Sequence, residues 1–309
     1  MMGGLLGLYP NGNYTVAVLS DGTKIRWCQK DQLTPEYPES VDLKICNRCN
    51  MGCIMCHECS TPDGECADLN APVLDSLRPY TELAIGGGNP LEHPGLVEFL
   101  RRMKAQRVIC NMTVHLTHFM ENFGVLKSLT NDQLINGLGI SVPGPMMPDE
   151  IEAIKSFPNA VVHIIAGMTR PGVISSMENM GLKLLVLGYK EFGRGKEHFH
   201  YKSSVIGHKI DQLRACLPFM FGKFEAISFD NLAIDQLRVR DLVDEKTWNE
   251  QYMGDDGQFT MYIDLVKKEY AISSVSQRHA FTNENIEQLF AAVREEREKN
   301  GKQKDERHD

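Results

Sequence analysis

Cysteines are concentrated in one short segment of this chain. Five of the nine cysteines fall within residues 46–59, in the run Cys46-Asn-Arg-Cys-Asn-Met-Gly-Cys-Ile-Met-Cys-His-Glu-Cys59. Cysteine is a small and usually buried residue, so this density indicates a metal site, a redox couple or a disulfide framework. Disulfide frameworks are typical of short secreted chains, whereas this chain has 309 residues, an odd number of cysteines and no recognisable secretory leader. The segment therefore predicts metal binding by thiolates.

The spacing of the cysteines discriminates between kinds of metal site. A structural zinc site needs two cysteine pairs separated by a longer loop, which Cys49 and Cys53 do not leave. The ferredoxin pattern, with its short early gaps and a proline after the last cysteine, also differs. What remains is Cys49-x-x-x-Cys53-x-x-Cys56. Three thiolates on such a loop could hold three irons of a 4Fe-4S cube and leave the fourth iron open for chemistry.

This CxxxCxxC spacing resembles the loop of the radical S-adenosylmethionine (SAM) superfamily. The resemblance implies one 4Fe-4S cluster on Cys49, Cys53 and Cys56, whose open iron chelates SAM and cleaves it to a 5'-deoxyadenosyl radical. It also implies hydrogen abstraction from a substrate and an electron donor such as flavodoxin or ferredoxin. Met55 stands where the family commonly has an aromatic residue, and its soft thioether can still cover the adenine.

Cys46 and Cys59 flank the motif as extra cysteines. Either could complete a fourth-ligand or zinc site, and the simpler interpretation is a spare thiol beside the loop. A rival hypothesis for the whole segment is a structural zinc ion shared by the five cysteines in a non-catalytic interaction protein. That hypothesis does not explain the glycines and polar residues that follow other predicted strands.

A glycine-rich turn follows the next predicted strand. The run Gly86-Gly-Gly-Asn-Pro90 would let a ligand approach the backbone closely, and a plain tight turn is the alternative. Gly87, Gly88, Asn89 and Pro90 resemble the GGEP motif of the same superfamily, whose backbone receives the amino group of SAM. Because Asn89 replaces the glutamate, we expect a neutral hydrogen bond in place of a carboxylate contact.

Polar residues on later predicted strands are weaker candidates, since each alone is more often a satisfied structural residue. The resemblance implies that such groups contact the ribose and carboxylate of SAM, and Ser141 is the best of them. Lys190 lies in the loop 188–195, which suits closure over SAM or an anionic substrate group, unless its charge is simply solvated. The substrate-facing catalytic residue stays unassigned. The candidates on the strands are Asn111, Thr113, Ser141 and His163.

The elements that must position these residues alternate along the chain. From Val41, short apolar segments alternate with helical ones, which is typical of an α/β fold with βαβ units and a parallel sheet. The resemblance implies a partial (β/α)6 TIM-like barrel, with chemistry at the carboxyl ends of its strands. Seven strands are predicted, at residues 41–45, 82–85, 108–109 leading into 111–115, 137–142, 160–165, 182–187 and 226–229, and helices at 94–104, 118–129, 148–156 and 205–217.

Three segments are predicted. Residues 1–40 form a β-hairpin that turns at Asp21 and Gly22, and it is either an edge decoration or a docking edge for an extended peptide. Residues 41–230 form the barrel. Residues 231–309 form a small extension with a strand pair, a helix and a charged tail expected to fray from Arg294 onward. No cysteine follows Cys216, which argues against an auxiliary cluster in the extension.

Composition limits the class of protein. The chain is 42% hydrophobic and 24% charged, with a net charge of -8, which is ordinary for a soluble globular protein. The acidic balance argues against nucleic-acid binding, and the absence of a long apolar run argues against a membrane span. We expect a cytoplasmic enzyme that modifies a peptide or protein, because both terminal segments could offer a sheet edge. A nucleoside or other small molecule is the alternative substrate.

Overall fold

The computed structural model describes residues 3–29 and 32–305, with side chains up to residue 301. Its strands are β1 (Leu5–Asn11), β2 (Tyr14–Leu19), β3 (Lys24–Cys28), β4 (Ser40–Cys46), β5 (Glu82–Gly87), β6 (Ile109–His115), β7 (Gly137–Ser141), β8 (Ala160–Ile165), β9 (Lys183–Leu187), β10 (Ala226–Phe229), β11 (Thr260–Asp264), β12 (Glu269–Ala271) and β13 (His279–Ala280). Its helices are α1 (Leu96–Ala105), α2 (Leu116–Glu121), α3 (Phe123–Asn131), α4 (Pro148–Lys155), α5 (Pro171–Ser175), α6 (Arg194–Met220), α7 (Asn231–Leu237), α8 (Glu245–Gln251) and α9 (Ile286–Asp305).

A ten-stranded, mostly parallel sheet organises the described residues, in the order β10-β9-β8-β7-β6-β5-β4-β11-β12-β13. Neighbours from β10 to β11 are parallel, and β12 and β13 add antiparallel pairs at one edge. Parallel neighbours need crossover connections, and helices supply most of them here. The predicted α/β class with a largely parallel sheet is therefore confirmed.

Alternate residues of the parallel strands face opposite sides of the sheet. On β4, Val41, Leu43 and Ile45 are almost fully buried in the main hydrophobic core, while Asp42 and Lys44 face the other side. The same alternation continues through β6, where Met112 and Val114 belong to the core. We call the side that carries Asp42 and Lys44 the polar face, because the candidate site residues of the strands lie on it.

The N-terminal segment is a three-stranded antiparallel sheet with the order β1-β2-β3. The predicted hairpin corresponds to β2 and β3, and β1 was not predicted. Buried Glu39 attaches this sheet to the main one: Arg26 donates to both carboxylate oxygens at 2.8 Å, and the Tyr14 hydroxyl donates at 2.6 Å. The backbone of Glu39 bonds to the main sheet at Phe259 and Glu82.

Two predicted helical features are wrong in detail. The single helix expected at 118–129 is two helices, α2 and α3, which meet at Asn122. The tail expected to fray from Arg294 continues α9 as far as Asp305, and residues 306–309 lie outside the described residues. Glutamate, arginine and lysine are strong helix formers, so charge alone does not end a helix that starts on a buried apolar face.

The C-terminal strands join the main sheet. β11 pairs in parallel with β4, with Tyr262 opposite Asp42 and Asp264 opposite Lys44. The strand that carries the cysteines at its end therefore has β5 on one side and β11 on the other. Among the helices described, none is long and apolar enough to cross a bilayer.

Candidate functional site

The cysteine-rich segment forms a loop over residues 46–66, here called the cysteine loop, that leaves β4 and returns beside it. At its base Cys46 and Cys66 form a disulfide, with their Cα atoms 4.1 Å apart. Further out, the amide of Cys49 donates to the Thr61 carbonyl at 2.8 Å. These contacts close the loop at its base and leave the motif cysteines on its outer part.

The disulfide corrects the expectation for Cys46. Cys46 is neither a spare thiol nor a fourth ligand, because its sulfur is bonded to Cys66. Spacing along the chain did not reveal the partner, since the return of the loop depends on backbone pairing 20 residues further on. Cys59 remains a free and exposed thiol.

The three motif thiols are free, partly exposed and close enough to influence one another. Burial raises the pKa of the Cys49 and Cys53 thiols, and the nearby Cys56 thiolate adds to the rise. The positive charge of Arg194 lowers the pKa of both, so this guanidinium lies near the thiols. The loop thus presents three thiols beside a cation, although burial outweighs that charge at Cys49 and Cys53.

The donor set is compatible with a cluster. No three His, Cys, Asp or Glu side chains within the described ranges are arranged to hold one metal ion. A 4Fe-4S cube does not need that arrangement, because each thiolate binds a different iron at a separate corner. Three free thiols on one tight loop are suitable donors for such a cube.

The glycine turn packs directly against the cysteine loop. The amide of Gly88 donates to the Cys46 carbonyl, and the amide of Asn89 donates to the Arg48 carbonyl, both at 2.7 Å. A Cβ atom on Gly87 would collide with the Cys46 carbonyl, and one on Gly88 with the Arg48 carbonyl. Gly87 also has a positive φ of 110°. The turn therefore needs glycine because two backbone segments touch there.

Asn89 has a local structural role. Its buried side chain accepts from the Leu91 amide and donates to a carboxylate oxygen of Glu92, each at 3.3 Å. The negative charge of Glu92 helps to raise the pKa of Cys49, which places this carboxylate near the thiols. Sequence inspection missed Glu92, although its position three residues after Asn89 in a tight turn was a usable signal.

The strand candidates lie on the polar face of neighbouring strands. Ser141 on β7 is in register with His163 on β8, and Thr113 on β6 is in register with Gly139. A Cβ atom on Gly139 would lie 2.6 Å from His163 Nε2 and 2.9 Å from Thr113 Oγ1, so the structure brings these two side chains together. Asn111 lies one layer away, beside Gly137.

His163 is the candidate with an unused polar atom. Its Nδ1 is buried and has no hydrogen-bond partner among the described residues. Burial lowers the pKa of His163 to about 4, so the ring is neutral at pH 7. A neutral imidazole can donate from one nitrogen and accept at the other, which suits contact with a polar ligand.

The loop after β9 closes against the cysteine loop. The amide of Arg194 donates to the Cys56 carbonyl at 3.1 Å, and Gly195 lies against the Met55 carbonyl. Arg194 Nε is buried without a partner in the part of the chain that the structure describes. Lys190 Nζ donates to Ser274 Oγ at 2.7 Å, so it is not simply a solvated charge.

Charged groups tie the cysteine loop to β4 and β11. Lys44 Nζ lies 2.7 Å from Glu58 Oε2 and 3.0 Å from Asp264 Oδ2, and all three side chains are buried. Burial alone would lower the pKa of Lys44, but the two carboxylates outweigh it and raise the pKa. Tyr262 donates to Glu58 Oε1 at 2.9 Å, and His57 Nε2 lies 3.1 Å from the same oxygen.

Comparisons with known proteins give structural likenesses only. No protein-family profile and no curated protein sequence matches this chain. Its structure is similar to Streptococcus suis SuiB bound to precursor peptide SuiA (12% identity, TM-score 0.50, 84% of this chain and 65% of that one). It is also similar to SuiB bound to S-adenosylmethionine (11%, 0.52, 84% and 68%) and to SuiB alone (10%, 0.52, 94% and 87%). The chain thus spans 65% of the length of the peptide-bound SuiB, and at these identities the likeness shows a shared fold.

Proposed function

We propose that this protein is a radical SAM enzyme that acts on a peptide or protein. One observation carries the proposal: the CxxxCxxC loop leaves the end of β4, and the glycine turn at the end of neighbouring β5 packs on it. The two motifs are about thirty residues apart in sequence, and each alone has a simpler explanation. Their direct contact supports one shared site, and the structural likeness to a SAM-bound protein supports SAM as its ligand.

The proposal assigns a role to each part of the site. Cys49, Cys53 and Cys56 would hold a 4Fe-4S cluster, which when bound supplies the electron that cleaves SAM to a 5'-deoxyadenosyl radical. Around the cluster, the chain's own groups bind and orient SAM. Those assigned to SAM are Met55, Gly87, Gly88, Asn89, Pro90, Asn111, Thr113, Ser141, His163 and Lys190.

The fold and segments are proposed in the same terms. Strands β4 to β10 would form the partial (β/α)6 barrel of residues 41–230, with the SAM groups on its polar face. The segment 1–40 would be an N-terminal extension and 231–309 a C-terminal one. Enclosure of the radical between the polar face and the loops would exclude water from the reaction.

The peptide substrate has two lines of support. The fold is shared with SuiB, which has been crystallised with precursor peptide SuiA. In addition, β1 and β3 are both edge strands, and the outer face of their sheet exposes Leu8 (56%), Ile25 (49%) and Trp27 (47%). An extended peptide could pair with such an edge and cover these side chains. A flavodoxin or ferredoxin as reductant and a cytoplasmic location remain parts of the proposal.

The decisive experiment is 5'-deoxyadenosine formation from SAM. The protein is reconstituted anaerobically with iron and sulfide, given SAM and dithionite, and the nucleoside is quantified by mass spectrometry. Slow formation without substrate is expected. Tightly bound zinc with no iron would overturn the proposal in favour of a zinc-binding interaction protein.

Cysteine variants give the first testable prediction. Alanine at Cys49, Cys53 or Cys56 should abolish both iron retention and SAM cleavage, because a cube with two cysteine ligands is poorly held. Cys59→Ala is the matched control on the same loop, since that thiol is exposed and lies outside the motif. SAM cleavage retained by Cys53→Ala would contradict the ligand assignment.

A further inference from the structure

Glu58 occupies an unusual position in the cysteine loop. It follows the last motif cysteine by two residues, yet its side chain is only 7% exposed and points back to the sheet. Neighbouring loop residues such as Cys59 and Glu65 are exposed. A buried carboxylate in an otherwise accessible loop needs several partners to offset its lost hydration.

The partners of Glu58 come from three parts of the chain. Lys44 of β4 contacts Oε2 at 2.7 Å, while Tyr262 of β11 donates to Oε1 at 2.9 Å. His57 of the loop itself lies 3.1 Å from Oε1. Both carboxylate oxygens are therefore engaged, and the outer part of the loop is tied to two adjacent strands.

Asp264 completes the arrangement from β11. Its carboxylate lies 3.0 Å from Lys44 Nζ, so Lys44 is shared between the loop and the C-terminal strand. Removing one member of such a group is costly, because the other charges stay buried without their partner. The group is therefore able to fix the loop in a single position.

We propose that Glu58 is a positioning residue for the cysteine loop, and that Tyr262 and Asp264 of β11 make the C-terminal strand part of that support. The inference rests on the proposed function, because the purpose of this support is to hold Cys53 and Cys56 in place for the cluster. It goes beyond that function because it assigns a task to Glu58, which lies outside the motif, and to Tyr262 and Asp264, which lie outside the predicted barrel.

Strand β11 is also connected, through Arg278 and Ser274, to the loop after β9. The guanidinium of Arg278, which lies next to β13, stacks on the Tyr262 ring with its carbon 3.8 Å from the ring centroid. Arg278 also donates to the Ser274 carbonyl, and the Ser274 hydroxyl receives Lys190 from the loop after β9. The C-terminal segment thus contacts both loops, through Tyr262 of β11 and through Ser274 between β12 and β13.

The test compares Glu58→Gln with Glu65→Gln in the full-length chain. Glu65 lies in the same loop with an exposed side chain, so it is a matched control. Amide hydrogen exchange is measured on the metal-free protein at Cys49 and Thr61, whose amides are bonded across the loop, and at Met112 in the sheet. Iron release to a chelator and the electron paramagnetic resonance spectrum of the reduced cluster are then measured on reconstituted protein.

We expect Glu58→Gln to speed exchange at Cys49 and Thr61 by about tenfold or more, as for loss of a charge-assisted buried bond, and to leave Met112 unchanged. Iron should be released faster and the cluster spectrum should change, whereas Glu65→Gln should match the wild type. Tyr262→Phe removes one bond and should give an intermediate effect.

Two outcomes would overturn the inference. Unchanged loop exchange in Glu58→Gln would show that the carboxylate does not fix the loop. Equally faster exchange at Met112 would show a general loss of stability in place of a local one. Failure of wild-type protein to bind iron would instead refute the proposed function, while the exchange measurement on metal-free protein would still decide the role of Glu58.

Discussion

Asp42 differs from the ionisable side chains around it because its side chain is open on the polar face. Lys44, Tyr262 and Asp264 on the same face of β4 and β11 are all engaged with one another or with Glu58. The Asp42 side chain is open on the polar face, yet surrounding protein desolvates its carboxyl and raises the pKa to about 6, despite the nearby charge of Lys190. Such a group costs folding free energy when it ionises, so its presence suits contact with a ligand.

Because ionising the Asp42 carboxyl costs folding free energy, we expect Asp42→Asn to stabilise the protein at pH 7. The folded state binds the carboxyl proton more tightly than the unfolded state, so the wild type loses stability as pH rises from about 3.8 to about 6. Because the carboxyl is open on one side, we expect a gain of only about 1 kcal/mol in the free energy of unfolding. Urea titrations at pH 4, 5 and 7 measure it, with exposed Asp211→Asn as control.

His163 provides the opposite pH dependence. Its pKa of about 4 lies below the ordinary value, so the unfolded state binds more protons and stability falls as pH drops from about 6.5 to about 4. In the wild type, the stability gained as Asp42 binds a proton at acidic pH partly cancels the stability lost at His163. The Asp42→Asn variant should therefore lose more stability than the wild type as the pH falls. A variant no more stable than the wild type at pH 7 would contradict the burial argument for Asp42.

Residue types and their spacing predicted which residues form the motifs of the candidate site, but they did not predict the contacts that these residues make. The motif cysteines and the glycine turn were visible because chemistry restricts both the residue and the interval. Glu92 and Glu58 were not predicted as site residues, since a charged residue in a loop is usually solvated and nothing in its local sequence reveals burial. The Cys46–Cys66 disulfide was missed for a different reason: the two cysteines are 20 residues apart, and only the folded path of the loop brings them together.

At the level of elements, the glycines of the turn differ in how closely they approach the cysteine loop. Gly88→Ala should destabilise the junction by about 1–3 kcal/mol, because its new Cβ would overlap the Arg48 carbonyl of the cysteine loop. Gly86→Ala is the matched control, as nothing lies within 4 Å of the position of its Cβ. Thermal unfolding and iron retention report the difference, and equal effects of the two substitutions would contradict the proposed contact.

Strands and helices with a regular apolar pattern were predicted well. The predicted strand at 160–165 matches β8, and that at 226–229 matches β10, because buried parallel strands are short apolar runs bounded by turns. α6 consists of two helices that meet at a kink, where Lys202 has non-helical backbone angles. The predicted helix at 205–217 lies within the second of them, and the first, which begins at Arg194, was not predicted. This first helix has no apolar stripe that would predict it, and Gly195 is fixed there by contact with the cysteine loop.

At the scale of the whole molecule, long-range pairing was beyond the reach of sequence patterns. The pairing of β11 with β4 joins residues more than two hundred positions apart, and no local signal specifies it. This pairing places Tyr262 and Asp264 beside the cysteine loop. The C-terminal part is therefore structurally continuous with the sheet that carries the candidate site.

Buried Glu39 is one of the groups that attach the N-terminal sheet to the main sheet, beside the Lys24–Glu82 ion pair and the apolar contacts of Val16 and Val18. Glu39→Gln should lower the free energy of unfolding by about 3–5 kcal/mol, because Arg26 would keep its buried position without an anionic partner. The loss should be local: amides of β2 and β3 should exchange faster, while those of β6 and β7 should keep their protection.

Exposed Glu36→Gln, three residues earlier in the same connection, is the control and should behave as the wild type. If peptide binding uses the edges of the N-terminal sheet, Glu39→Gln should weaken it, because a detached sheet no longer holds the peptide near the cysteine loop. SAM cleavage without substrate should continue at the wild-type rate, since Glu39 contacts none of the groups assigned to the cluster. Loss of cleavage together with the sheet would instead mean that the two sheets form one cooperative unit.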